Sequence, residues 1–287
     1  MQEVKEDRLL GSFIQCYIGY ITNDGLRSKC ASGGVITQTL LHLLGTGAID
    51  GALVSRMKEA LETETFIAKT PEEIISASGS IYYPVPFLTG LEELAETPGR
   101  FAVVGLACHL KMLREEYPEL QDRVILSLSP FCNHTPSAEA TETFLEKHGV
   151  KKEDVKSLKY RDLGWPGTIT VETDDRRIEV PFPEAWHNDL SPRRFWPTDC
   201  QACHLCIPEE ADICCGDSYL SEEVYKTLKY VKPSGLGNSL IICKTQRGWN
   251  VLNLMRDKGL LTIEEIGPEV VIQFEPHLFR RHKQWIN

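Results

Sequence analysis

The stretch Arg100–His148, RFAVVGLACHLKMLREEYPELQDRVILSLSPFCNHTPSAEATETFLEKH, decides the fold class. It holds two strand–loop–helix units in tandem. Arg100 to Leu106 reads as a strand, Ala107-Cys108-His109 as a loop and Leu110 to Glu116 as a helix. Arg123 to Ser129 reads as a second strand, Pro130-Phe131-Cys132-Asn133-His134 as a loop and Ser137 to His148 as a helix. Strands that alternate with helices imply a parallel sheet. Each loop carries a cysteine just past the carboxyl end of its strand, the edge where open parallel sheets collect ligands.

Upstream, Cys16 to Ile21 is apolar and β-prone, and Asn23-Asp24-Gly25 is a turn signal. Ser32-Gly33-Gly34 opens a helical stretch, Val35 to Leu44, with Ser32 as the expected N-cap. Gly45 and Gly47 supply its stop. Gly51 to Ser55 is a short buried strand, Ala77 to Pro86 a loop and Leu88 to Glu96 a helix. Downstream, Thr168 to Thr173 and Arg176 to Pro181 alternate polar and apolar around Asp174-Asp175, which reads as a hairpin. Phe182 to Pro197 is irregular, rich in proline and tryptophan. Ser239 to Cys243, Gly248 to Lys258 and Leu261 to Ile266 read strand, helix, strand. The expected class is α/β with α+β elements, built on a mixed sheet. The change of character near 150–165 marks one candidate boundary.

The 287 residues suffice for a sizeable core, and 42% hydrophobic with 25% charged residues is ordinary globular composition. No apolar run approaches the roughly 18 residues that span a bilayer. The first residues, Met1 to Asp7, carry no basic region followed by an apolar one. A cytoplasmic protein is the expectation. A net charge of −10 disfavours nucleic acid, because phosphate binding is mainly counterion release by Lys and Arg. The basic run Arg280-Arg281-His282-Lys283 is short and reads as solvated surface.

Ten cysteines are many for such a chain, and half lie between 200 and 215. In a reducing compartment a dense cluster points to metal or redox chemistry rather than disulfides. The strongest local signal is Cys200-x2-Cys203-x2-Cys206. A C-x-x-C turn sets two thiolates on one side of an iron–sulfur cluster. No Cys-Pro follows, so this is not a simple ferredoxin run. Cys108 and Cys132, on neighbouring strand ends, complete a reasonable set with Cys200 and Cys203, and Cys206 is the alternative ligand. Zinc on Cys200, Cys203, His204 and Cys206 is the rival. Cys214, Cys215 and Cys243 read as core thiols. Ser32-Gly33-Gly34, Gly79-Ser80 and Ser234-Gly235-Leu236-Gly237-Asn238 are glycine-rich turns that could cradle a phosphate or merely cap a helix. None fits G-x-G-x-x-G after a strand, so a nicotinamide-binding Rossmann domain is not expected. Asp212 and Asp217 flank Cys214-Cys215 and suit a turn or a ribityl hydroxyl.

These pieces, in this order, resemble the coenzyme F420 hydrogenase/dehydrogenase beta-subunit family. The matching stretches are Arg27 to Thr37, Gly79-Ser80-Ile81-Tyr82, Val104 to His109, Phe131 to His134, Cys200 to Cys203, Ala211-Asp212-Ile213 with Gly216-Asp217, and Gly237 to Gly248. The resemblance implies an iron–sulfur flavoprotein with that family's fold. It divides the chain into an N-terminal α/β segment, 1–80, and a C-terminal flavin and iron–sulfur domain, 81–287. It implies FAD and one 4Fe-4S cluster, with coenzyme F420 as candidate electron donor or acceptor. Carried over by motif, Cys108, Cys132, Cys200 and Cys203 are the cluster ligands. Ser32, Gly33, Gly34, Thr37, Gly79, Ser80, Tyr82, Gly216 and Asp217 surround the flavin. The implied partners are other oxidoreductase subunits of an electron-transfer complex. Ferredoxin or NAD(P)H as electron partner, or a zinc-stabilised binding module, are the alternatives. The chain departs from the family at Ile81, where a lysine is common, at Ala107, where a proline is common, and at Cys206, where an aromatic is common.

Overall fold

The computed structural model describes residues 2–276, so the Arg280–Lys283 run lies outside the described residues. Lys5–Asp7 (β1) and Gly11–Phe13 (β2) form a short hairpin. Gln15–Ile21 (β3), Gly51–Met57 (β4), Thr63–Ala68 (β5), Phe101–Val104 (β6) and Val124–Pro130 (β7) follow. Ser157–Asp162 (β8), Thr168–Glu172 (β9) and Arg177–Pro181 (β10) make a separate antiparallel sheet. Ile213–Asp217 (β11), Ser239–Cys243 (β12) and Leu261–Ile266 (β13) return to the main sheet. Its order is β13-β3-β12-β11-β7-β6-β4-β5. The four strands β4, β6, β7 and β11 run parallel, and every other pairing in this sheet is antiparallel. The expected α/β class with a mixed sheet is what the chain forms, and the sheet draws strands from both sides of residue 80.

Both faces of this sheet are covered, which is why its strands read as apolar runs. Successive residues of β12 go to opposite faces: Leu240 and Ile242 to one core, Ile241 and Cys243 to the other. The first core meets the helices Phe87–Glu96 and Ala107–Glu116 through Leu91, Leu94, Leu110 and Leu113. The second meets Val35–Gly45 and Gln246–Asp257 through Leu40, Leu43, Leu252 and Met255. A third core, with Phe144, Tyr160, Ile169 and Val171, lies under the small sheet. Among the described residues no helix is long and apolar enough to cross a membrane.

Several local expectations change. Gly34, not Ser32, is the N-cap of Val35–Gly45, with φ 78°, a left-handed conformation that glycine adopts without strain. Ala107-Cys108-His109 is not a loop but the first turn of Ala107–Glu116, capped by Leu106. Its helical spacing starts earlier because His109 Nδ1 accepts the Leu106 N–H at 3.3 Å. Asn23-Asp24-Gly25 opens a helical turn, with the Asn23 side chain accepting from Leu26 N. Strands β5, β8 and β11 have no counterpart in the sequence reading. β8 alternates charged and apolar residues too briefly, and β11 consists of Ile213-Cys214-Cys215-Gly216-Asp217, whose thiols suggest chemistry before packing.

Asp212 belongs to the fold. It is fully buried and ties three segments together. Ser127 N donates to its Oδ2 at 2.8 Å, Arg247 Nε to its Oδ1 at 3.2 Å, and the Thr245 hydroxyl also donates to Oδ1. Asp212→Asn removes the charge and turns one acceptor into a donor facing a donor. The expected loss is about 1.5–3 kcal/mol, read as a lower urea midpoint with unchanged slope. An unaltered midpoint would contradict the clamp.

Candidate functional site

The carboxyl ends of β4, β6, β7 and β11 share one edge of the sheet because these strands are parallel. Met57, Gly105, Phe131-Cys132 and Asp217 therefore emerge together. β12 is antiparallel to β11 and β3 is antiparallel to β12, so Ser239 begins and Ile21 ends at the same edge. The Ser32-Gly33-Gly34 turn packs there: Ser32 Oγ lies 3.1 Å from Ser239 Oγ, and Ile21 N donates to Gly33 O at 2.8 Å.

Four thiols gather on one side of this edge. Cys108 sits in the first turn after β6, Cys132 in the loop after β7, and Cys200 on the short helix Thr198–Ala202, which Cys203 ends. Burial pushes the Cys132 thiol pKa up, and Cys108, Cys200, Cys206 and Cys203 add to the shift from nearby. Burial raises that of Cys108 too, with Cys203 and Cys200 adding to it. Leu205 N donates to Cys203 Sγ at 3.3 Å. Cys206 is different: its side chain is 2% exposed in the apolar core, while its carbonyl accepts the Cys132 N–H at 3.3 Å. It braces the Cys132 loop. Cys214, Cys215 and Cys243 are buried core thiols as well.

Among the described residues no three His, Cys, Asp or Glu side chains converge as ligands of a single metal ion. A zinc ion holds four sulfurs about 2.3 Å from one centre. A cubane cluster holds its thiolates apart on separate corners, so it asks for a looser gathering. Cys108, Cys132, Cys200 and Cys203 are four thiols outside any disulfide, drawn from three segments, and so are of the donor type such a cluster takes.

A second centre is built on Arg161, which the sequence reading missed. Its side chain is 2% exposed. Nη1 donates to Asp217 Oδ2 at 2.7 Å, Nη2 to Ala31 O at 2.9 Å and Nε to Pro166 O at 2.7 Å. The guanidinium also lies 4.4 Å over the Phe182 ring. Burial disfavours its charge, yet Asp217, Tyr82 and Tyr219 outweigh that and hold its pKa above the ordinary value. Burial raises the Tyr82 pKa, and Arg161, Asp217 and Ser80 act on it from nearby. Ser80, Tyr82 and Asp217 thus meet at one cation that also holds the Cys30–Gly34 turn through Ala31.

Of the other residues expected around a flavin, Thr37, Gly33 and Gly216 are engaged in packing and Gly79 is not. Thr37 Oγ1 accepts from Cys30 Sγ at 3.7 Å. The Phe131 ring occupies the space a side chain at Gly216 would need. Gly79, φ 98°, faces open space. A Cβ at Gly33 would lie 2.5 Å from Gly19 O and 2.7 Å from Ser239 N, both main-chain atoms. Gly33→Ala must therefore part β3 from β12, and we expect a loss of about 1–3 kcal/mol in a denaturation curve.

A column of rings starts at Tyr82. Tyr82 lies 4.6 Å from Trp186 between centroids, Trp186 lies 5.2 Å from His134, and His134 stacks on Trp196 at 4.0 Å. One end of this column, Tyr82, lies beside Arg161. The other lies two residues from Cys132 and four from Cys200 in sequence.

The family model for the C terminus of the coenzyme F420 hydrogenase/dehydrogenase beta subunit matches residues 99–269, and the model for the N terminus of that subunit matches 16–92. The chain belongs to this family. The coenzyme F420 hydrogenase subunit beta of Methanothermobacter thermautotrophicus is 24% identical over 273 residues, 91% of this chain and 88% of that protein. That of Methanosarcina barkeri is 24% identical over 211 residues, 70% of this chain and 68% of that protein. A coenzyme F420-dependent sulfite reductase of Methanocaldococcus jannaschii is 24% identical over 82% of this chain but only 36% of its own length. A protein chain in the F420-reducing [NiFe] hydrogenase complex from Methanosarcina barkeri has the same fold: TM-score 0.72, 21% identity, 98% of this chain and 94% of that one. In this member of the beta-subunit family, no motif read from sequence singled out Arg161. Its sequence neighbours, Tyr160 and Asp162, give it no distinguishing pattern.

Proposed function

We propose that this chain is an electron-transfer flavoprotein subunit that links coenzyme F420 to a partner oxidoreductase through FAD and a 4Fe-4S cluster. The observation that carries the reading is the pairing of a four-thiol gathering with a polar, cation-centred site at the same sheet edge. The likeness to hydrogenase beta subunits supports the F420 assignment and a multi-subunit assembly. Bound at these centres, such groups would supply the change from two-electron to one-electron transfer.

The protein's own residues do the rest. Cys108, Cys132, Cys200 and Cys203 would hold the cluster, and the Leu205 N–H stabilises negative charge on the Cys203 sulfur. Arg161 presents a fixed, buried positive charge that favours an anionic ring or phosphate beside it. Tyr82, Trp186, His134 and Trp196 would pack an apolar column beside the cation-centred site.

Anaerobic stopped-flow mixing with reduced F420, NADH and NADPH in parallel tests the donor. Flavin absorbance should bleach fastest with F420. Bleaching by a nicotinamide alone would remove F420 as donor, and a colourless protein with stoichiometric zinc would remove both cofactors.

A further inference from the structure

A cavity of about 600 Å³ lies between the N-terminal strap, Gln2 to Lys5, and the helix Gln246–Asp257, with β3 and β13 as its floor. Gln15 opens β3 and Ile21 ends it, so about 20 Å of strand separates Gln15 from the edge that carries the thiols and Arg161. The strap is held in place on both sides. Gln2 N donates to Gln246 Oε1 at 2.7 Å, and Lys5 Nζ to Gln15 Oε1 at 2.7 Å.

The lining is rich in acceptors. Glu3, Asp257 and Glu265 are its carboxylates, and Gln2, Gln15, Asn250 and Asn253 contribute amides. Its two cations already have partners. Lys5 is held by Gln15 and lies 5.9 Å over the Phe13 ring. Arg256 Nε and Nη2 both donate to Asp257 Oδ1 at 3.1 Å, which leaves the second oxygen of that carboxylate outside the pair. Among the described residues no cation pairs with Glu3 or Glu265. Glu265 stands opposite the buried Tyr17 in the register of β13 on β3, so its carboxylate rises from the cavity floor. Three apolar side chains complete the walls: Ile14, the partly buried Trp249 and Leu254, which is 47% exposed.

Carboxylates spaced around an indole and aliphatic surface complement a ligand of opposite pattern. Ammonium groups would meet the acceptors or the Trp249 face, and methylenes would lie on Ile14 and Leu254. The volume suits a molecule of several such units rather than a single metal ion. We infer that this cavity binds an aliphatic polyamine. The site is opposite in charge to the Arg161 centre and stands apart from the redox reading of that centre.

Calorimetry with spermidine on the purified full chain, at matched ionic strength, tests the inference. Wild type should show one saturable site whose affinity falls with salt. Glu3→Gln/Glu265→Gln should bind about tenfold more weakly, the scale of two exposed charge pairs together. Glu92→Gln/Glu93→Gln removes the same charge from the exposed side of Phe87–Glu96 and should bind as wild type does. Bound spermidine should also raise the Tm of wild type more than that of the Glu3/Glu265 double variant. The absence of a saturable site, or equal weakening in the two double variants, would leave only a general attraction to an acidic surface and overturn the inference. Binding is read without turnover, so a chain that binds spermidine yet moves no electrons removes the functional reading and leaves this one standing.

Discussion

On the proposed reading, Cys203→Ser should lose most of its iron and keep its flavin. Cys203 lies among the four gathered thiols, and Arg161 has none of them as a partner, so on the proposed reading its loss would remove a cluster ligand and spare the flavin surround. Loss of a direct ligand should cost more than the roughly 10–100-fold in affinity typical of groups that merely support ligands. Iron analysis and the visible spectrum of anaerobically purified protein read both quantities. Cys206→Ala is the companion. Its thiol sits in the apolar core, so the variant should keep its iron and lose a little stability. Full iron in Cys203→Ser, or iron loss confined to Cys206→Ala, would exchange the two roles.

Arg161→Ala loses flavin and stability together. The substitution strands Asp217 as a largely buried carboxylate and leaves Ala31 O and Pro166 O without their donor. Breaking a buried pair by removing one partner costs about 3–5 kcal/mol. Because Arg161 ties the small sheet to the turn before Val35–Gly45, bound flavin should fall with it. Arg161→Lys separates charge from geometry. An ammonium cannot span three acceptors as the planar fork does, so this variant should recover part of the stability and little of the flavin. Equal recovery of both would mean that charge alone matters.

Much of the fold was legible because apolar runs and helical spacings are local. The two strand–loop–helix units, the hairpin at Asp174-Asp175 and the last strand–helix–strand all lie within a few residues of their predicted places. Element edges were not. Leu106 caps the helix without a capping side chain, so Cys108 moved from loop to helix. β11 was invisible because its cysteines can signal either a ligand run or a buried strand, and only its neighbours, β7 and β12, settle which.

The sequence by itself determined the α/β class, the parallel run that sets the site at one sheet edge, and the cysteines able to serve there. It could do so because strand alternation and thiol spacing are properties of short segments. Only the tertiary structure decided that Cys206 packs in the apolar core beside the Cys132 loop, that Asp212 is a clamp, and that Arg161 is a hub. Each of those roles depends on partners far along the chain: Cys132 for Cys206, Ser127 and Thr245 for Asp212, and Ala31 with Asp217 for Arg161. A buried cation is defined by what surrounds it, and what surrounds Arg161 is assembled only when two sheets meet.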